Sequence, residues 1–370
     1  TNSYITMSEI QCSKDELLNL LKVFIGFKSI DSEPIQKKEC LDWIETAFLG
    51  EKLSEVQRGD FEGSPWIYLP ANDCKLLIFA HSDVVPASDE MFDLQLDGDQ
   101  AKGRGTSDMK GNILPFLMAY RDAIKEGTQP PVSILITTDE EVAGNTIPHL
   151  IDTGIVTAPV AFTPDSNDIG IVCQHKGVVW SELICKGKGG HGAYPWDTEN
   201  PAWLLVDALQ KIREAFPEGG HNDWQMTVSP TMLKGSGARN QVDDQVTCGL
   251  DIRYPPELCS SSEEALAKVQ KVLPDGCEIR EVLSASPLST PEDHPMVKLY
   301  KEVAENALGT SIGFKREHGG TDARYFSEKG IPAFLYGPKG AGLHSKDEWV
   351  SVSSLQKHYE MYRELFVSLG

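Results

Sequence analysis

The sequence predicts an α/β protein: a domain built on a mostly parallel mixed sheet flanked by helices, interrupted by a smaller α+β domain with a four-stranded antiparallel sheet. Three observations carry this expectation. Short continuous apolar runs near both ends of the chain read as strands buried on both faces, and helix-like stretches separate them. The middle of the chain changes texture to longer alternating strands interleaved with two helical stretches, two strand-helix-strand halves. A length of 370 residues is also more than one ordinary core organises. The expected boundaries are 1–176 and 287–370 for the first domain and 177–286 for the insertion.

The elements follow in order. Thr1 to Thr6 read as a frayed end. Ser13-Lys14-Asp15-Glu16 has the pattern of a capping box, and Leu17, Leu18, Leu21, Phe24 and Ile25 follow at helical spacing. Lys37 to Phe48 repeats the pattern through Leu41, Ile44 and Phe48. Leu76 to Ala80 is a buried strand with His81-Ser82-Asp83 at its C-terminal end. Met109 to Lys125 is a helix with Pro115 inside it, and Val132 to Ile136 is a second buried strand ending at Asp139-Glu140-Glu141. Two more apolar stretches, Ala158 to Phe162 and Ile331 to Tyr336, lead to Thr163-Pro164-Asp165 and to a glycine-rich loop carrying His344. In the insertion, Val178 to Lys186 and Gln245 to Tyr254 alternate as strands, with helices at Ala202 to Phe216 and Ser262 to Val272.

Composition narrows the class. The chain is 40% hydrophobic and 24% charged, as in soluble globular proteins, and its net charge of -21 disfavours nucleic acid and anionic membranes while suiting bound cations. The sequence shows no apolar run of about 18 residues and no signal-peptide pattern, so no membrane partner is expected. The eight cysteines are scattered without a framework spacing and read as reduced thiols of a cytoplasmic protein.

Open α/β sheets place their sites beyond the carboxyl ends of strands. Five imidazole or carboxylate donors stand there: His81, Asp108, Glu141, Asp165 and His344. Histidine and carboxylate ligands select borderline and hard divalent ions. Against two dications, three carboxylates leave one positive charge, which a bridging hydroxide neutralises. Each motif also has a plainer reading. Asp108 suits a helix cap and Asp165 a turn; His344 suits a surface loop, and Asp139-Glu140-Glu141 suits a solvated helix start. In the catalytic reading Asp83 orients His81, Glu141 ligates, and Glu140 moves a proton from water to a leaving nitrogen.

Six segments, taken in order, resemble the signature set of the di-zinc amidohydrolases, the family of acetylornithine deacetylase, succinyl-diaminopimelate desuccinylase, glutamate carboxypeptidase and aminoacylase. They are Ala80 to Pro86, Gly103 to Gly111, Thr138 to Glu141, Gly189 to Pro195, Gly319 to Asp322 and Leu343 to Glu348. The resemblance implies a zinc-binding domain interrupted by a lid that mediates homodimerisation. It implies that His81 and Asp165 hold one zinc, Glu141 and His344 the other, and that Asp108 bridges them. Cobalt and manganese are the alternative metals. Glu140 would be the general base, and His191 would stabilise the oxyanion in the site of the partner subunit. Asn240, Arg253, Gly320 and Thr321 fall where relatives hold the substrate. The deacylases usually carry Glu-Pro at the third ligand loop; here Thr163 replaces that glutamate, and Asp165 resembles the tripeptidase variant. The implied activity is hydrolysis of an amide bond in a small N-acyl amino acid. The alternatives are a dipeptidase or carboxypeptidase-type exopeptidase, and an inactive metal-binding scaffold.

Overall fold

The computed structural model describes residues 12–235 and 238–370, so the expectation for Thr1 to Thr6 lies outside the described residues. The chain forms two compact units. One comprises Thr1–Cys173, Thr290–Lys315 and Tyr325–Gly370, and the other comprises Gln174–Ser289 with Arg316–Arg324. The return segment Arg316–Arg324 is an addition to the single insertion, 177–286, read from the sequence, whose texture carries no mark of a second crossing.

The first unit is organised on strands ordered Gln57–Phe61, Ser64–Leu69, Val132–Thr137, Leu76–His81, Ala161–Thr163 and Ala333–Leu335. Leu76–His81 is parallel to both of its neighbours, and Ala333–Leu335 is parallel to Ala161–Thr163. The two outermost strands at the other side pair antiparallel. Every residue of Leu76–His81 and Val132–Thr137 is buried, which is why both read as unbroken apolar runs. Around the sheet, Leu17, Leu21, Phe24 and Ile25 of the Lys14–Gly26 helix join the core with the helices Pro34–Phe48, Lys110–Lys125, Pro295–Leu308 and Val352–Leu369. The Ser13 hydroxyl accepts the Glu16 N–H, as a cap should, whereas the Glu16 carboxylate turns to Arg121, 2.8 Å away, and leaves the box half made.

A second sheet in this unit was not legible in the sequence. Four short strands, Gly340–Ala341, Trp349–Ser351, Gln100–Lys102 and Gln95–Asp97, pair antiparallel in that order. Trp349 lies opposite Lys102, so the loop ending at Asp108 and the loop bearing His344 spring from one small sheet. His344 is therefore not delivered by the end of the Ala333–Leu335 strand, as the run from Ile331 to Tyr336 suggested; the short Gly340–Ala341 strand intervenes.

The second unit is a four-stranded antiparallel sheet in the order Thr227–Lys234, Gln245–Tyr254, Gly177–Lys186, Cys277–Ala285. Burial alternates along Gln245–Tyr254, and the buried side packs on Leu205, Ala208 and Ile212 of one helix and Ala265 and Val269 of another. Among the described residues all eight cysteines are free.

Candidate metal centre

The donors of the first unit converge. His81 ends its strand with a buried ring; Nδ1 lies 3.1 Å from the Asp83 carbonyl oxygen and 3.4 Å from Asp83 Oδ1. A proton on Nδ1 donates to the carbonyl, and the lone pair of Nε2 is then left for a cation. The sequence reading gave this orienting task to the Asp83 side chain. In the structure the main-chain carbonyl shares it, and Asp83 Oδ2 instead accepts the Glu141 N–H at 3.0 Å, tying two donor loops together.

Asp108 lies between the two imidazoles. One carboxylate oxygen is 3.3 Å from His81 Nε2 and the other 3.0 Å from His344 Nε2, which is itself 3.0 Å from Glu141 Oε2. The helix-cap reading of Asp108 fails on this geometry: Met109 occupies the N-cap of Lys110–Lys125 and makes no side-chain cap. The solvated-helix reading of the acidic run resolves similarly, because Asp139 accepts from both the amide and the hydroxyl of Thr146, leaving Glu140 and Glu141 for the cluster. Asp165 Oδ1 is 4.0 Å from His81 Nε2. Thr163, the departure from the expected Glu-Pro, accepts the Asp165 N–H on its hydroxyl at 3.3 Å.

Electrostatics point to cations. Burial, and then the nearby carboxylates of Asp165, Asp108 and Glu141, push Glu140 up to about 8 against the pull of His81. Burial and Asp108 likewise raise Glu141 to about 7. A hydrogen bond from the His344 ring to the Asp108 carboxylate outweighs burial and lifts His344 to about 9. Burial opposes the charge on His81, yet the adjacent Asp108 and Asp83 carboxylates hold its pKa well above the ordinary value. Protons on these groups take the place that a cation takes when bound. His81 Nε2 and Glu141 Oε1 are buried without hydrogen-bond partners, and donor atoms of His81, Asp108 and Glu141 lie within 4.8 Å of one another. The donor set thus fits divalent cation binding.

Two positioning residues escaped the sequence reading. Asn112 Nδ2 donates to the carbonyls of Ser107 and Pro164, both at 2.9 Å, and fastens the Asp108 loop to the Asp165 loop. Glu348 accepts from the backbone amides of Ser107 and Asp108. A polar residue one turn into a helix, and an acid four residues past a histidine, carry no signal without the fold.

In the second unit, the exposed His191 pairs across a short ladder with Gln241, and the Gly192 amide donates to the Asn240 carbonyl at 2.8 Å, so these two predicted segments meet. His191 Nδ1 accepts the Ala193 N–H at 3.0 Å, leaving Nε2 outward. The fork of Arg253 is held by Asp251 at 2.7 and 3.1 Å, the sheet-face pairing that competes with a substrate role. Thr321 donates its N–H to His175 Nε2 at 3.3 Å and keeps a buried hydroxyl without a hydrogen-bond partner; a Cβ on Gly320 would come 3.8 Å from the same imidazole. Lys176 is buried, and burial followed by the Arg253 charge lowers its pKa.

The comparisons agree with this chemistry. The succinyl-diaminopimelate desuccinylase of Hydrogenovibrio crunogenus is 29% identical over 322 residues, 80% of this chain and 84% of that one. The enzyme of the same name from Helicobacter pylori is 30% identical over 299 residues, 75% of this chain and 74% of that one. Aminopeptidase PepT of Bacillus cereus shares the fold with a TM-score of 0.80 at 18% identity, over 96% of this chain and 99% of that one. Residues 77–368 match the model of peptidase family M20/M25/M40, a metal-dependent family, and the chain belongs to it.

Proposed function

We propose that this enzyme cleaves the amide bond of a small N-acyl amino acid, in the manner of a deacetylase or desuccinylase, with two zinc ions at the first unit's cluster. Metal-dependent amide hydrolysis follows from the family and from the donor set. The observation that carries the proposal further is the place of Glu140: a half-buried acid next to the donor Glu141 and within electrostatic reach of His81, Asp165 and Asp108. A carboxylate set beside the donor cluster is placed to take a proton from water and to return it to a leaving nitrogen.

Divalent ions held by these residues would supply Lewis acidity toward the amide carbonyl and a more acidic water. Glu140 takes the proton of the attacking water and returns it to the leaving nitrogen. His81 and Asp165 would hold one ion, Glu141 and His344 the other, and Asp108 would span both. His191 would donate to the developing oxyanion in a partner copy, and Asn240, Arg253, Gly320 and Thr321 would orient the substrate. The buried Lys176 beside Arg253 adds positive charge suited to a substrate carboxylate. The exposed Trp180, Trp203 and Leu233 of the second unit support a homodimer formed through that unit. Eight free thiols suit a reducing, cytoplasmic setting.

The test is Glu140→Ala. Metal content should be retained while turnover falls by about 10²- to 10⁴-fold; an unchanged rate removes Glu140 from the mechanism, and the absence of turnover in the unsubstituted, metal-loaded chain favours the scaffold reading. An exopeptidase is the second reading, favoured by Asp165 at the third donor loop where the tripeptidase branch has its aspartate. Mass spectrometry of products from a mixture of N-acyl amino acids and dipeptides separates the two activities.

A further inference from the structure

The His81 and His344 sides of the cluster are supported differently. His81 sits on a core strand, and Asp165 is fixed through Thr163 and Asn112. His344 has no such bed: its side chain is 56% exposed, and it occupies a left-handed turn at φ 59. That turn begins at Gly342, where a Cβ would meet the Asp347 carbonyl at 2.4 Å, and it closes back onto Glu348. Glu348 is wholly buried. Its Oε1 accepts the amides of Ser107 and Asp108 at 2.9 and 3.0 Å, its Oε2 is 2.5 Å from Arg104, and its carbonyl accepts the Gly103 N–H at 3.2 Å. One residue therefore joins the loop that carries Asp108 to the turn that carries His344.

We propose that Glu348 is a positioning residue that holds Asp108 against His344, so that its loss weakens the ion on the His344 side more than the ion on the His81 side. This rests on the two-ion reading given above. A carboxylate that accepts two successive amides fixes the start of the Asp108 side chain, while its backbone fixes the end of the His344 turn. Groups that orient metal ligands in this way typically tune affinity by about 10- to 100-fold. The His81 side shares the Asp108 carboxylate, but His81 on its core strand and Asp165 on its own loop are held by bonds that do not involve Glu348, so it responds less.

The experiment titrates the full-length chain with zinc at buffered free concentrations and reads metal content by mass spectrometry, with cobalt absorption as a second readout. The unsubstituted chain should take up two ions. Glu348→Leu, which removes the acceptor of both amides, should hold one ion at free zinc levels that give two in the parent, its second ion binding about 10- to 100-fold more weakly. Its kcat should climb back as free zinc is raised, with KM unchanged. Arg104→Lys keeps a cation on Oε2 and both amide bonds, and should retain both ions. Two ions at unchanged affinity in a folded Glu348→Leu chain overturn the proposal, and so does an equal loss of both. If circular dichroism shows that Glu348→Leu does not fold, Glu348→Asp is titrated in the same way, since it retains the charge but cannot span both amides. If that variant also unfolds, the proposal is overturned, because the carboxylate then holds the fold rather than one arm of the site. A parent chain that binds no metal would instead defeat the functional assignment.

Discussion

At the scale of single residues, the cluster stores protons that a metal must displace. His344, at about 9, and His81, raised well above its ordinary 6.5, each add stability that is fully present below 6.5 and is lost as pH rises through the folded value. Glu140 and Glu141, raised from 4.5 to about 8 and about 7, have the same sign: their contribution is present below 4.5 and is lost as pH rises through those values. Asp108 is depressed below 3.8, so it acts in the opposite sense only in more acidic solution. Below about 6.5 the buried His175 and His358, both lowered to about 4, act in the opposite sense to the two glutamates; the metal-free protein should therefore lose thermal stability between about pH 6.5 and pH 9, and zinc should raise its melting temperature more at the alkaline end. Scanning calorimetry of both forms across that range checks this; a metal-free melting temperature that rises with pH would contradict the charge assignment. The donors were legible in the sequence because each follows an apolar run or a glycine-bracketed loop. Glu348 and Asn112 were not, since what they do depends on partners far along the chain, at Ser107 and Pro164.

At the scale of elements, legibility followed burial. Leu76–His81 and Val132–Thr137 announced themselves because all their side chains are buried and their composition had no polar alternation to blur it. Gln95–Asp97 is exposed along its whole length and Gly340–Ala341 spans two residues, so the small sheet that launches Asp108 and His344 had no periodic signal. Arg316–Arg324 was missed for a related reason: its part in the second unit is a matter of long-range pairing. The buried strands should also dominate stability. Ile78, fully buried between parallel neighbours, should cost about 2–5 kcal/mol when changed to alanine. Urea unfolding would measure it as a lower midpoint with an unchanged slope.

At the scale of the whole molecule, the assignment of His191 to a partner copy has a direct consequence. His191→Ala and Glu140→Ala should each be nearly inactive alone. Mixed, dissociated and reassociated, they should regain about a quarter of the parent activity, since half of the random pairs are hybrids, each with one intact site. Activity that stays at the level of the separate variants rules out an exchanged His191, and ultracentrifugation of the parent checks the dimer on which the scheme relies. No helix among the described residues is long and apolar enough to cross a membrane.

The chain order of the donors bears on how the protein is made. His81, Asp108, Glu141 and Asp165 all precede Gln174, where the chain enters the second unit, and His344 follows after Thr290 returns it to the first. The strand Ala333–Leu335 and the helix Val352–Leu369, which complete the core, come later than the first four donors as well. A nascent chain on the ribosome thus displays four donors while the whole second unit is still being synthesised. The fifth donor, and the Gly340–Ala341 and Trp349–Ser351 strands of the small sheet, follow it. On the five-donor reading, full metal acquisition therefore waits until the chain has crossed the second unit and returned to the first.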